Sequence, residues 1–283
     1  MIAGSSIGAL VGACYAGKGE IASLEEIILK TDWKKLVRLA DPNLAFMLKG
    51  FIHGEKVKEL LLTIIGDIDF KDLKIPLAVV TTDVNTGEEV VIKKGSVIEA
   101  VRASISMPVV FMPVKFKDRF LIDGGVVNPI PVNVAKNMGA EIVIACNVIR
   151  KLQRSKTLDS VKKRKLSTSI FKPETKNETL VIFHDKINRF IQENKKSVDV
   201  FKSKIHKRVQ KIDLNTPNVF KVIIQAIYAM EYEIAKAKIK EADIIITPDV
   251  QQIAVLDFYR GREAIAKGYK AARDAISGNR LKV

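Results

Sequence analysis

Gly4-Ser5-Ser6-Ile7-Gly8 is a G-x-S-x-G pattern, and the apolar run Ala9–Ala16 directly after it has the residues of a buried helix. The order of strand end, tight turn and helix is that of a nucleophile elbow, which exposes a serine hydroxyl at a helix N-terminus. We expect both glycines to be required, because a Cβ at either position would collide with close neighbours of the turn. By itself the pattern leaves two interpretations open: a nucleophilic Ser6, or a tight turn built from small residues.

Helical patterns alternate with short β-branched runs from Met1 to about Asn147, which predicts an α/β architecture. The predicted helices are Ser6–Tyr15, Ser23–Leu29, Trp33–Leu39, Glu55–Ile64 and Ser96–Ser104. The predicted strands are Leu77–Thr82, Glu89–Ile92, Phe120–Ile122 and Ile142–Cys146, with a hairpin turn at Asn85-Thr86-Gly87. The globular pattern resumes after residue 216 with a helix at Val219–Lys240, a strand at Asp243–Thr247 and a helix at Tyr259–Ala275.

The formal net charge of +15 is concentrated between Arg150 and Lys211, where 19 lysines and arginines stand against six acidic residues. The second half of this stretch carries apolar residues at helical spacing opposite its basic residues, which predicts a basic amphipathic helix or helix pair. The concentrated charge favours an anionic partner, either phospholipid headgroups or nucleic acid, while a solvated insertion is the alternative. We interpret residues 1–283 as a single domain with a basic variable segment at 148–216.

The two cysteines, Cys14 and Cys146, have no ligand spacing, which argues against a disulfide framework or a zinc site and suits a reducing compartment. The first basic residue, Lys18, follows the apolar run, whereas a secretory signal begins with positive charge. We therefore expect a cytoplasmic protein, placed peripherally at the inner membrane surface by residues 150–211. We expect no metal, no organic cofactor and, because no nucleic-acid-binding motif is recognisable, no nucleic-acid partner.

A serine hydroxyl needs a base to take its proton, and histidine is scarce in this chain. His53, His184 and His206 are its three histidines, and none of them follows a strand within a recognisable motif. A carboxylate base is therefore favoured. Phe120-Leu121-Ile122 would deliver Asp123 onto Gly124 and Gly125, which let the backbone turn sharply, although a simple Asp-Gly turn has the same pattern.

Together the two motifs resemble the patatin-like phospholipases of the bacterial type, whose members use a Ser-Asp dyad. Similar segments are Ala100–Pro108, the run D-G-G-V-V-N-P-I-P from Asp123 to Pro131, Met138–Ala145 and Ala242–Ala272. The resemblance implies a three-layer α/β fold with a central, mostly parallel sheet.

The same resemblance implies site roles. Ser6 would attack the ester carbonyl of a lipid, and Asp123 would accept the proton of Ser6. The Ile7 backbone N–H would be an oxyanion donor, while Gly4, Gly8, Gly124 and Gly125 would shape the two motifs. Ser104 and Asn128 are expected to support the local backbone.

The sequence departs from the family at its start. Members carry a glycine-rich loop after their first strand, which supplies further oxyanion donors, but only five residues precede Ser6 here. We expect an N-terminally truncated chain with little hydrolase activity, because losing one oxyanion donor typically costs about 10²–10³ in kcat. Two functions stay open: a serine acyl-ester hydrolase of the phospholipase A or lysophospholipase kind, or a catalytically inactive module that binds anionic membrane through the basic segment.

Overall fold

A computed structural model describes residues 1–30, 55–149, 151, 219–253 and 257–278. The chain divides into two compact units, residues 1–152 with 220–283, and residues 153–219. The second unit corresponds closely to the predicted basic segment, which lies almost entirely outside the described residues. The predicted helix Trp33–Leu39 and the three histidines also lie outside them.

The described elements alternate between helix and strand along most of the chain. In order they are β1 (Ile2–Ser5), α1 (Ile7–Lys18), α2 (Ala22–Lys30), α3 (Glu55–Ile65), β2 (Leu77–Asp83), β3 (Glu89–Ile92), α4 (Val97–Ser104), β4 (Val114–Phe116), β5 (Arg119–Asp123), α5 (Val132–Asn137), β6 (Ile144–Cys146), α6 (Val219–Lys238), β7 (Ile244–Ile246) and α7 (Gly261–Gly278). Every helix and strand predicted within the described ranges is present. The sequence did not predict β4 and α5, because three and six residues are too few for either periodicity to be visible.

Strand β2 is the centre of the larger sheet and is buried along its whole length. It pairs in parallel with β1 and antiparallel with β3 and β5, and β4 extends the sheet antiparallel to β5. Strands β6 and β7 form a separate parallel pair. The described sheets are thus of mixed direction.

The register of β2 brings the ends of two distant strands together. Val79 and Val80 pair with both β1 and β3, so those two strands lie on opposite edges of β2. Thr81 and Thr82 pair with both β3 and β5, so β5 lies on the same edge as β1. Strands β1 and β5 therefore follow one another along one edge of β2, where each strand ends at the start of a functional motif.

Side chains of β2 alternate between two buried faces, as expected for a central strand. Leu77 and Val79 belong to the main apolar cluster, which also contains residues of α1, α3 and α4. Ala78 and Val80 pack on the opposite side with Val134 of α5. Helices on both faces of one sheet confirm the predicted three-layer α/β class.

Helix α1 approaches the sheet closely because its buried positions are small. They are Ala9, Gly12, Ala13, Cys14 and Ala16. A Cβ on Gly12 would lie 2.9 Å from the Ile2 side chain of β1, so a larger residue there would push the helix away from the sheet. This close packing fixes the turn between β1 and α1.

In the ranges that the structure describes, no helix combines the length and the apolar character needed to cross a membrane.

Candidate active site

Ser6 occupies the turn between β1 and α1 with φ 52° and ψ −126°. A non-glycine residue with positive φ is strained, typically by about 1–3 kcal/mol, and such strain is concentrated at functional sites. Gly4 permits the turn, because a Cβ there would lie 2.6 Å from both the Gly8 carbonyl oxygen and the Ala9 nitrogen. The backbone therefore has the conformation of the predicted elbow.

Gly8 differs from Gly4 and corrects the expectation that both glycines are sterically required. Apart from the helix's own backbone and its chain neighbours, no atom of the residues that the structure describes lies within 4 Å of its Cβ position. Gly8 lies in the first turn of α1 and faces solvent. The motif contains a glycine here, but the turn does not demand one.

Ser104, the last residue of α4, holds the elbow in place. Its Oγ accepts a 2.9 Å hydrogen bond from the Ser6 backbone N–H and donates a 2.6 Å bond to the Val80 carbonyl oxygen. Ser104 is fully buried, so water does not compete for these bonds. The strained turn is thereby tied to both α4 and β2.

Ser6 and Asp123 are in direct contact. The Ser6 Oγ donates a 2.6 Å hydrogen bond to Asp123 Oδ2. The other carboxylate oxygen, Oδ1, accepts the backbone N–H of Gly125 at 2.7 Å. Asp123 is only 2% exposed, and its own N–H donates to the Ser106 carbonyl oxygen. The carboxylate is thus oriented on both sides toward the serine.

The ionisation of Asp123 suits a base. Burial raises the pKa of Asp123 to about 6, against the opposing effect of the hydrogen bonds from Ser6 and Gly125. Burial dominates because a low-dielectric surrounding disfavours the charged form. The carboxylate is therefore ionised at neutral pH, yet it takes up a proton more readily than an exposed aspartate does.

Gly124 and Gly125 have different steric roles after β5. A Cβ on Gly124 would lie 2.2 Å from the Val80 carbonyl oxygen, so only glycine fits against β2 at this position. A Cβ on Gly125 would lie 3.0 Å from Oε1 of Glu231 and 3.1 Å from Asp123 Oδ1. Glycine at position 125 therefore lets a second carboxylate approach Asp123.

The N-terminus of α1 is the candidate oxyanion site. Ile7 is the first residue of this helix, where backbone N–H groups have no acceptor within the helix and the dipole favours negative charge. The Ile7 N–H directly follows the serine, as the motif requires for an oxyanion donor. Its side chain is 56% exposed, which leaves an apolar surface next to Ser6.

Asn128 is buried away from the dyad's hydrogen bonds. Its Nδ2 donates to Glu89 Oε2 at 2.5 Å and to Asn133 Oδ1 at 2.9 Å. These contacts join the segment after β5 to β3 and α5. Like Ser104, Asn128 supports the backbone around the site.

Glu231 is a site neighbour that the sequence did not single out. It lies in α6, far along the chain from Asp123, within an ordinary amphipathic pattern. No motif or spacing marks it, and only the packing of α6 places it beside Gly125. An acidic residue on the buried face of that helix is the sequence signal that could have identified Glu231.

Within the described residues, no group of three or more histidine, cysteine, aspartate or glutamate side chains could hold a metal ion. Cys14 is buried in α1, and burial raises the pKa of its thiol to about 11. A thiol that is so difficult to ionise is a packing residue rather than a nucleophile.

Comparisons with known proteins identify related sequences. Residues 1–136 match the family described as Patatin-like phospholipase. An uncharacterized NTE family protein of Mycobacterium tuberculosis is 32% identical over 147 residues, which are 52% of this chain and 40% of that protein. Neuropathy target esterase sws of Drosophila melanogaster is 31% identical over 155 residues, covering 52% of this chain and 11% of that protein.

A human protein, patatin-like phospholipase domain-containing protein 6, is 30% identical over 153 residues, again 52% of this chain and 11% of that protein. The matches thus span 40% or less of the length of these relatives. The family match over residues 1–136 covers the part of this chain that contains Ser6 and Asp123.

Proposed function

Because residues 1–136 belong to the patatin-like phospholipase family, we propose that this chain is a serine acyl-ester hydrolase that cleaves lipid esters with Ser6 and Asp123. The observation that carries the proposal is the 2.6 Å hydrogen bond from Ser6 Oγ to Asp123 Oδ2 at a strained strand-to-helix turn. A hydroxyl so bonded to a carboxylate is positioned to lose its proton as it attacks.

In the first half of the reaction, Ser6 Oγ bonds to the ester carbonyl carbon while its proton moves to Asp123. The carbonyl oxygen becomes an oxyanion, which the Ile7 N–H and the α1 dipole stabilise. The carbon–oxygen bond to the alcohol then breaks, and the proton on Asp123 passes to the leaving alkoxide. The products of this half are an alcohol or lysolipid and an acyl-Ser6 ester.

In the second half, Asp123 removes a proton from water as that water attacks the acyl carbon. The bond to Ser6 Oγ breaks, Ser6 recovers its proton from Asp123, and a carboxylic acid leaves. Asp123 alternates between base and acid in both halves. Its pKa of about 6, raised by burial, suits both roles near neutral pH.

Apolar side chains next to the serine support a lipid substrate. Ile7, Val11 and Tyr15 recur at helical spacing along α1 and are 56%, 40% and 45% exposed. Residues four apart lie on one face of a helix, so these three form an apolar stripe that starts at Ser6. Phospholipid or lysophospholipid acyl esters are the substrate class we propose.

A second candidate function follows from the charge between Arg150 and Lys211. In this alternative the chain binds an anionic membrane through that segment and does not catalyse hydrolysis. The membrane would be the inner surface facing the cytoplasm, where anionic lipid attracts basic segments.

Covalent labelling with an alkyl fluorophosphonate separates the two functions. The reagent loses fluoride when a reactive serine attacks its phosphorus, so it reports on the nucleophile without requiring turnover. We expect one label per chain on Ser6, none in Ser6→Ala, and unchanged labelling in Ser5→Ala. Ser5 is a matched control because it is adjacent and buried, and among the described residues its Oγ has no hydrogen-bond partner to lose. Folded protein that is not labelled at Ser6 would favour the membrane-binding module.

A further inference from the structure

The position of Glu231 is fixed by the packing of α6. Ala235 lies one helical turn after Glu231 and is 1% exposed. Ala235 and Ile239 both belong to an apolar cluster that also contains residues near β6. Residues four apart share a face of a helix, so Glu231 lies on the face that turns toward the protein. It is an acidic residue at a position where this helix packs against the rest of its unit.

The carboxylate of Glu231 comes close to that of Asp123. Glu231 Oε1 and Asp123 Oδ1 lie 3.0 Å and 3.1 Å from the same point, the Cβ position that Gly125 leaves empty. The two oxygens are therefore within about 6 Å of each other, where like charges perturb each other's ionisation. Oδ1 is the oxygen that faces away from Ser6, because Oδ2 accepts the hydrogen bond from the Ser6 hydroxyl.

Three charged groups on the described neighbouring elements have partners of their own. On α6 itself, Lys236 pairs with Glu233 and Lys238 pairs with Glu89 of β3. Tyr228 of α6 contacts Met107 in the loop after α4. The cation near that loop is Arg102 of α4, which donates to Ser106 and lies over the ring of Phe111. Burial, and after it the charge of Asp123, raise the pKa of Glu231 to about 7.

We propose that Glu231 is a positioning residue of the dyad, whose negative charge favours transfer of the Ser6 proton to Asp123. The proposal rests on the hydrolase function proposed above. When both carboxylates are ionised they repel each other, and protonation of Asp123 during attack removes that repulsion. Glu231 therefore strengthens the base without touching the substrate or the serine.

This role predicts a pH dependence shared by the two carboxylates. With a pKa of about 6 for Asp123 and about 7 for Glu231, Asp123 is ionised first as the pH rises. Between these two pKa values the ionised Asp123 has a neutral Glu231 beside it. Above the pKa of Glu231, both carboxylates are charged. The pair titrates as a coupled system, so two steps are expected in reactivity.

The first test measures the rate of Ser6 labelling by an ethyl fluorophosphonate from pH 5 to 9. We expect the intact chain to show two rises, near pH 6 and near pH 7. In Glu231→Gln the second rise should be absent, so that labelling at pH 8 is slower by about threefold to tenfold while the rate at pH 6 is unchanged. Glu231→Asp, which restores a carboxylate, should recover part of the second rise. Equal or faster labelling of Glu231→Gln at pH 8 would overturn the proposal.

The second test does not depend on reactivity. A carboxyl whose pKa is raised by folding stabilises the protein at low pH and loses that contribution as pH rises through the folded pKa. Glu231→Gln should therefore raise Tm at pH 8.5 by about 2–4 °C and have little effect near pH 4.5. In an Asp123→Asn background the gain at pH 8.5 should shrink, because the repelling charge is gone. An equal gain in Tm in both backgrounds would overturn the coupling between Glu231 and Asp123, whether or not Ser6 is labelled. Absence of Ser6 labelling by itself would count against the hydrolase function instead.

Discussion

The backbone N–H of Ser6 donates a 2.9 Å hydrogen bond to the side chain of Ser104, 98 residues further along the chain. Because Ser104 also bonds to Val80 of the central strand, one buried hydroxyl connects the strained turn to the sheet. Removing this hydroxyl would leave the Ser6 N–H and the Val80 carbonyl without their partner.

Ser104→Ala should therefore destabilise the elbow more than the fold. An unsatisfied buried polar group costs roughly 1–3 kcal/mol, and part of this cost would be avoided if the turn relaxed from its strained angles. We expect a lower Tm and Ser6 labelling slowed by about tenfold or more. Ser106→Ala is the control: it is also buried and loses its bonds to Arg102, but it should lower Tm without slowing the label. Equal effects of the two variants on labelling would argue against a specific role of Ser104.

Asp123→Asn should lose reactivity and gain stability. Without a base, Ser6 labelling should fall by about 10²–10⁴ and lose its rise near pH 6. Burial raises the pKa of Asp123 in the folded chain, so the stabilising contribution of its protonated form disappears as pH rises through about 6. The variant, which carries no charge, should therefore have a higher Tm than the intact chain at pH 8 and a similar Tm near pH 4. A lower Tm at pH 8 would show that the charge is better solvated than its burial indicates.

Substitutions at the two motif glycines should have opposite effects. Gly8→Ala adds a methyl group to open space in an exposed first turn and should raise stability by about 0.5–1 kcal/mol while Ser6 remains labelled. Gly4→Ala forces a contact of 2.6 Å with backbone atoms and should prevent the elbow from forming. Thermal unfolding and labelling of both variants check this. Loss of folding in Gly8→Ala would contradict the open space seen beside that residue.

The basic segment should bind anionic lipid through charge. We expect the chain to sediment with vesicles containing phosphatidylserine at low salt and to be released by added salt, because screening weakens such contacts. Glutamine at Lys162, Lys163, Arg164 and Lys165 should weaken sedimentation, whereas glutamine at Lys93 and Lys94, outside the segment, should change it less. Equal weakening by both sets would indicate attraction by net charge rather than by this segment.

Local signals were sufficient to predict the two halves of the site. The G-x-S-x-G run and the strand leading into Asp-Gly-Gly each describe backbone within a few residues, and both local structures are present. What sequence periodicity does not contain is strand register. That β1 and β5 share one edge of β2 depends on pairings between residues that are distant in the sequence, such as Thr81 with Asp123 and Ser5 with Val80. The pairing of Ser6 with Asp123 was therefore predicted from the family resemblance and not from periodicity.

Other features depended on packing that has no local pattern. Gly8 shares its motif with Gly4, yet only the close approach of backbone atoms distinguishes the required glycine from the other. Glu231 looks like any acidic residue of an amphipathic helix until α6 is placed against Gly125. In both cases the role of the residue depends on the atoms that pack against it in the folded chain. The order of residues in the sequence does not show these contacts.

The shared edge of β2 also makes the active site modular. Ser5 pairs with Val80 and Asp123 pairs with Thr81, so two adjacent residues of one strand set the spacing between nucleophile and base. Of the connections from β1 to β2 and from β3 to β5, α1 and the segment from α4 to Ser106 also hold the turn at Ser6 and the backbone of Asp123. The remaining parts of those connections are therefore free to lengthen, shorten or accept inserted domains during evolution or engineering, provided that the strand serving as the template keeps its register.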